Sequence, residues 1–556
     1  MIDRTKLSLL FIALTFVFTL SSPLTSNLSS AQATTKAGST PLPTPTPPPT
    51  PTPVAEKSVQ TLASLQSMIA GRLSRPEVRR GRVGVKIVSL NTGKTVYEQD
   101  GDKYFMPASN MKNFTVATAM EKLGPDFKFV TRVFAGAMPD SNGTIKGDLR
   151  ILGGGDISIS TAFFGTSPTD PETYYKGIDR LVDAIAAAGV KRVEGNIIGD
   201  ESHFKGFAIP QTWEWDDLQW YYGAEVSALP INDNAVDLSV LPGAVGSVCV
   251  VKISPAPAAS LYQVVNTCTT TIAGSKRTLG VNKKIDRNIL EISGFLPIGD
   301  KGFSDPISLS HPADLFVTIL KERLEKRGIA VTGKATTWEL HEGSPPSSRS
   351  SSPPAFQLTA SPQVPVEITK LESVPFKDVA AKTMKPSQNL YTETVLWTLG
   401  EQVGRKPGDT RDSYAIGLDA VKDFLTTNVG LAPDAVVQYD GCGMSRHDVV
   451  TPNAVAALYS YMAKSPNAQA WRDSLTIGGV DGTLANRFKG TAAAGNIRGK
   501  TGTIDQVSAL SGYMSTVGGE PVILSIIVNG VPEGRQRTSL IDDIVVAVAN
   551  FDGKID

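Results

Sequence analysis

The chain has 556 residues, 41% of them hydrophobic, which is enough for a large buried core and too many for one ordinary domain. Lysine plus arginine equals aspartate plus glutamate at 54 each, so no net field selects nucleic acid or an acidic membrane surface as partner. The partner has to be read from a site.

In chain order, charges at Arg4 and Lys6 precede an apolar run from Leu7 to Leu20 and the small-x-small tripeptide Ala31-Gln32-Ala33. This is the pattern of an export signal cleaved after Ala33, giving a periplasmic or secreted protein. A retained anchor is the competing reading, although the apolar run is shorter than the ~20 residues that span a bilayer. Residues 34–57 are rich in Pro and Thr and predict an extended spacer. Leu62, Leu65, Ile69 and Leu73 then share one helical face, and Val83, Val85 and Ile87 alternate as in a strand. Asn91-Thr92-Gly93-Lys94 turns the chain into a second strand at Thr95-Val96-Tyr97. A helix is expected from about Ser109 to Leu123, stopped by Gly124-Pro125.

Further along, a Ser/Pro-rich stretch at 343–365 reads as a surface loop or linker. Asp378 to Met384 and Leu390 to Leu399 read as helices broken at Pro386. Ile497 to Thr503, Ser508 to Ser515 and Val522 to Asn529 read as successive antiparallel strands, and Leu540 to Phe551 as a closing helix. This order predicts an α+β sandwich whose sheet combines both chain ends around a large insertion. Cys249 and Cys268 can pair in an exported protein, closing a loop worth roughly 3 kcal/mol, or stay reduced. Cys442 has no evident partner and reads as a small, partly buried residue. The four histidines are scattered, there is no CxxC, and no metal site is expected.

Three triplets carry chemistry. Ser109-Asn110-Met111-Lys112 opens a helix, and a spacing of three puts the hydroxyl and the amine on one face. Serine is a weak nucleophile until a neighbour takes its proton, which a lysine can do when burial or another cation depresses its pKa. Ser387-Gln388-Asn389 lies in the break between two helices and offers a proton-relaying hydroxyl and an amide able to hold a carbonyl. Lys500-Thr501-Gly502-Thr503 lies on a strand: Lys500 and Thr501 can receive a carboxylate, and Gly502 lets a substrate backbone lie close. The Thr503 N–H can join that of Ser109 as an oxyanion hole. Each triplet alone is weak. Their order and their placement on the expected elements make them informative together.

In these triplets the sequence resembles the active-site serine penicillin-recognising proteins, and among them the class C low-molecular-mass D-alanyl-D-alanine carboxypeptidase/endopeptidases. Ser109 and Ser387 stand 278 residues apart, as in the layout with inserted domains. Gly153-Gly154-Gly155-Asp156, Gly195 to Asp200, Val226 to Leu229 before Asn232-Asp233-Asn234, and Asp440 to Arg446 look like landmarks of the same class, with Arg446 a candidate for fixing substrate or site charge. The resemblance implies a serine β-lactamase/DD-peptidase-like sandwich: residues 58–130 and 374–556 form the peptidase domain, 131–373 the inserted accessory domains, and about 156–228 a smaller nested unit. It also implies an accessory pocket for the free amino end of the stem-peptide side chain, matched here to Trp213, Asp216 and Tyr221. The same segment reads equally as a packed aromatic stretch with a solvated Asp pair. Gln388 in place of Asp, Cys442 in place of Ser, and the 343–365 loop depart from the family pattern.

The implied reaction is acyl transfer on peptidoglycan stem peptides: Ser109 attacks, Lys112 accepts its proton, Ser387 relays a proton to the leaving amine, and Lys500 attracts the terminal carboxylate. Covalent inhibition by β-lactams goes with it, and no metal or organic cofactor is implied. A β-lactamase shares the triplets, and an idle wall-binding protein could share the fold. The insertion weighs against the first, and intact Ser109, Lys112, Asn389 and Lys500 weigh against the second.

Overall fold

The structure, a computed structural model, describes residues 59–165, 171–338 and 365–555. The expected export signal and spacer, and residues 343–364 of the expected loop, lie outside this range.

The first elements follow the apolar periodicity closely. Helix α1 (Leu62–Leu73) starts at Thr61, whose side chain accepts a hydrogen bond from the Ser64 N–H, and it buries Leu65 and Ile69. Strands β1 (Arg82–Ser89) and β2 (Thr95–Gln99) form the expected hairpin. Helix α2 (Lys112–Lys122) is preceded by a 3-10 turn over Ala108–Met111, so Ser109 sits in a tight entry turn, one turn ahead of the α-helix proper. Beyond the middle of the chain come α3 (Phe376–Met384), α4 (Asn389–Leu399) and α5 (Pro452–Met462). Then follow β3 (Thr476–Ile477), β4 (Arg498–Ile504), β5 (Val507–Ser515), β6 (Pro521–Asn529) and α6 (Gly534–Ala549).

These strands build one six-stranded sheet in the order β2-β1-β6-β5-β4-β3, antiparallel throughout. The first and last strands of the chain are therefore neighbours, as expected. Side chains alternate between the two faces of β6: Val522, Leu524, Ile526 and Val528 pack with Leu65, Ile544 and Val548 on α1 and α6, while Ile523 and Ile527 face α2, α4 and α5. Coverage on both faces explains why β6 is apolar from Val522 to Val528 except at the buried Ser525. Helix α2 lies inside the second of these cores and is buried from Lys112 to Met120. Its polar side chains are satisfied there: Thr115 donates to the Gly441 carbonyl, Thr118 to Phe114, and Asn113 accepts from the Tyr459 hydroxyl.

Between the two parts of this sheet lies a five-stranded one, in the order Ala335–Trp338, Ile197–Asp200, Leu149–Leu152, Val130–Ala135, Val366–Glu372. The first three strands are parallel and the last two pairings antiparallel. Ile197–Asp200, inside the 156–228 stretch expected to nest, thus pairs on both sides with strands outside it. A further three-stranded antiparallel sheet comprises Ala235–Leu241, Val250–Ser254 and Phe303–Ser308. Cys249 and Cys268 form a disulfide beside it. Among the described residues, no helix is long and apolar enough to cross a membrane.

Candidate active site

All three triplets meet at the end of α2. Lys112 Nζ donates to Ser109 Oγ at 2.9 Å, to Asn389 Oδ1 at 2.7 Å and to the Cys442 carbonyl at 2.9 Å. Opposite, Lys500 Nζ donates to Ser387 Oγ at 2.8 Å and to the Thr501 carbonyl at 2.8 Å. Both lysines are 0% exposed, and no carboxylate among the described residues forms an ion pair with either. Burial lowers the pKa of Lys112, against the pull of the acidic groups Cys442, Asp440, Glu393 and Asp448. Burial also lowers that of Lys500, well below the usual lysine range, and the nearby Lys112 charge pushes it the same way.

Strained and close-packed backbone holds the serines in place. Ala108 and Ser387 both sit in left-handed conformation, at φ of 48° and 68°, one residue before the nucleophile candidate and at the relay candidate itself. The Ala108 carbonyl leaves no space beside Gly443: a Cβ there would lie 1.8 Å from that oxygen. At Gly502 a Cβ would lie 2.5 Å from the Pro107 carbonyl and 3.2 Å from the Ser109 and Asn110 amides. The bare glycine lets β4 press its backbone against the entry turn of Ser109, and Asn110 Nδ2 ties that turn to the Lys500 carbonyl at 3.0 Å.

The remaining predicted residues divide. Thr501 is buried and donates to Thr483 Oγ1 at 2.7 Å, so Thr483 joins the site from a segment that carried no motif. Thr503 is exposed, its hydroxyl turned to the Gly502 carbonyl. The Asn389 amide does not point freely into the cleft: Nδ2 donates to the Tyr222 carbonyl at 3.0 Å, which anchors the 212–223 segment to the 387–389 loop. Gln388, the departure from the family pattern, caps α4 by accepting from the Leu390 N–H at 3.0 Å. Arg446 spans the mouth, with Nε to Glu214 at 3.0 Å and a second nitrogen to the Asp505 carbonyl at 3.2 Å.

Of the expected accessory pocket, Trp213 is buried against Cys442 and Met444 and spends its indole N–H on Asp440 at 2.9 Å. Asp216 and Tyr221 are exposed, and Tyr221 stacks edge-on against Tyr222. Asp217 is half-buried, accepts from the Tyr222 hydroxyl at 3.2 Å, and has its pKa pushed up to about 6 by burial. The structure therefore exposes Asp216 and Tyr221 and packs Trp213 beside Cys442, whose carbonyl accepts from Lys112.

Beneath Lys112 lies a buried acidic cluster that joins two residues of the 440–446 stretch to Glu393, which belongs to none of the motifs. Glu393, Asp440 and Cys442 place their donor atoms within 4.8 Å of one another, which makes them the one group among the described residues close enough to surround a metal ion. Asp440 is already engaged: it accepts from the Gly443 and Ser445 amides, from Trp213 and from the Cys442 thiol. With the Lys112 amine on the Cys442 carbonyl as well, the set serves the protein's own donors better than it would serve a cation. Burial raises the Cys442 thiol far above its usual range, which leaves it uncharged. The spacing of Asn389 and Glu393, four apart on α4, was the one available hint that an acid underlies the site.

The chain is similar to known proteins over most of its length. A D-alanyl-D-alanine carboxypeptidase of Actinomadura sp. (strain R39) is 30% identical over 511 residues, covering 90% of this chain and 87% of that one. The carboxypeptidase DacB of Haemophilus influenzae is 24% identical over 472 residues, covering 81% and 86%. The crystal structure of penicillin binding protein 4 from H. influenzae shares the fold, with a TM-score of 0.68 at 22% identity over 86% of this chain and 97% of that one. Residues 65–551 match the D-Ala-D-Ala carboxypeptidase 3 (S13) family, and the chain belongs to that family, among the class C low-molecular-mass penicillin-binding proteins.

Proposed function

We propose that this protein is a serine DD-carboxypeptidase/DD-endopeptidase that acts on peptidoglycan stem peptides through an acyl-enzyme on Ser109 and is acylated there by β-lactams. The observation that carries the reading is the buried Lys112 amine, in contact with Ser109 Oγ and Asn389 Oδ1 at once. As the neutral amine, Lys112 keeps hydrogens for Asn389 and the Cys442 carbonyl and turns its lone pair to the Ser109 hydroxyl. Burial is the main cause that favours that state.

Ser109 Oγ attacks the penultimate D-alanine carbonyl carbon, and its proton passes to Lys112 Nζ. The oxyanion faces the Ser109 and Thr503 amides, a pairing that the close approach of β4 at Gly502 supports. As the C–N bond breaks, the proton held by Lys112 passes through Ser387 Oγ to the leaving amine, which leaves Lys112 neutral again. Water then attacks the ester and frees Ser109. Lys500 and Thr501 receive the terminal carboxylate, with Arg446 adding positive charge at the mouth. Asp216, exposed and with Tyr221 close in sequence, is the carboxylate proposed to meet the ammonium of the stem-peptide side chain, and Trp213 supports this segment through Asp440. The expected export signal would deliver the enzyme to the cell wall as a periplasmic or secreted protein.

Incubation of the purified protein with muropeptides, with products identified by mass, tests the function. Loss of one alanine, or separation of a cross-linked dimer into monomers, is expected from wild type and not from Ser109→Ala. Unchanged muropeptides with the wild-type protein would refute it.

A further inference from the structure

The buried acid Glu393 is used by no step above. It lies one helical turn below Asn389 on α4, is 0% exposed, and neither of its carboxyl oxygens makes a hydrogen bond, although the Gly441 backbone and the Cys442 thiol lie nearby. A carboxylate left bare in this way is costly to bury as an anion. Its neighbour Asp440 sits within 4.8 Å and accepts from the Gly443 and Ser445 amides and the Trp213 indole, so it is the better supplied with donors. Two carboxylates this close in a dry interior cannot both ionise readily, and the proton belongs on the one without donors.

We propose that Glu393 is a positioning residue for the proposed acyl transfer, a buried carboxyl whose proton equilibrium is coupled to that of Lys112 and sets the pH at which Lys112 becomes a base. The inference rests on the reading of Ser109 and Lys112 given above. With Glu393 protonated and the Asp448 carboxyl also pushed far up by burial, Asp440 is left as the charged carboxylate beneath Lys112, and the amine gives up its proton readily. With Glu393 ionised, a second anion favours the ammonium and delays the base. The groups that face Glu393 are Lys112 from α2 and Asp440, Cys442 and Asp448 from the 440–448 loop. Burial, with Asp440 beside it, pushes the Glu393 pKa up to about 8, so the equilibrium falls where a neutral-pH enzyme would feel it. The two groups titrate as a pair, and the apparent values belong to the pair.

The test is the rate of acylation by a fluorescent penicillin across pH, for wild type and Glu393→Gln. Glutamine keeps the shape and cannot ionise, so the rising acid limb of the profile is expected to move to lower pH by about half a unit or more. A purely structural role would lower the melting temperature and leave the limb in place, and superimposed limbs overturn the proposal. Should Glu393→Gln fail to fold, infrared difference spectra of wild type decide. A carboxylic-acid band that disappears over the same pH range as the acylation limb supports the coupling, and one that does not overturns it. Absence of acylation at any pH in the wild type would instead refute the serine acyl-enzyme reading itself.

Discussion

Replacing Gly502 by alanine is expected to damage the site out of proportion to its effect on the fold. The added Cβ would lie 2.5 Å from the Pro107 carbonyl oxygen. An ordinary carbon–oxygen contact is about 3.3 Å or more, so β4 and the turn that carries Ser109 must separate by roughly 0.8 Å. The contact is backbone to backbone, and no flexible side-chain end can give way. A shift of about 1 Å in a reacting group can cost on the order of a hundredfold in rate, whereas overpacking at one position costs about 1–3 kcal/mol of stability. Gly502→Ala should therefore acylate with labelled penicillin on the order of a hundred times more slowly, while still giving a cooperative thermal transition. Acylation within about threefold of wild type would refute the claim that the approach of β4 to Ser109 organises the site.

Lys500→Met should lose most peptidase activity and yet melt at a higher temperature at neutral pH. The sign follows from burial: unfolded lysine holds its proton to about pH 10.4, and the folded residue releases it earlier, so stability rises with pH through that window and the cost is largest below it. A lower melting temperature would show that its bonds to Ser387 and Thr501 outweigh desolvation. Asp216→Ala should reduce cleavage of peptides bearing the side-chain ammonium by about tenfold and leave penicillin acylation unchanged, the low end for a charge-assisted contact because Asp216 is exposed. No selective loss would turn attention to Asp217. Gln388→Ala should cost about 1 kcal/mol through loss of the α4 cap, measured by urea unfolding.

The sheet and its flanking helices were legible because each carries a clean period: α1 runs over the residues whose apolar spacing announced it, and β5 over an almost continuous buried run. The three triplets were legible because their chemistry is local, a serine and a lysine three apart or a glycine after a threonine. What was not legible depends on distant partners. Whether Cys249 and Cys268 pair cannot be read from two cysteines 19 apart, and the structure joins them. The indole of Trp213 turns to Asp440, 227 positions away, and the Asn389 amide to Tyr222, 167 positions away. Neither preference leaves a mark in the segment that contains it. The Ser109 turn was expected as α-helix and is 3-10, because Ala108 enters it with positive φ, held by Gly443 from another part of the chain.

The central claim is that Ser109 is the nucleophile, activated by Lys112. Peptide mass mapping after incubation with labelled penicillin tests it most directly. The account predicts one covalent adduct on the peptide containing Ser109, absent from Ser109→Ala and formed far more slowly by Lys112→Ala. An adduct elsewhere, or undiminished labelling of Ser109→Ala, would contradict it.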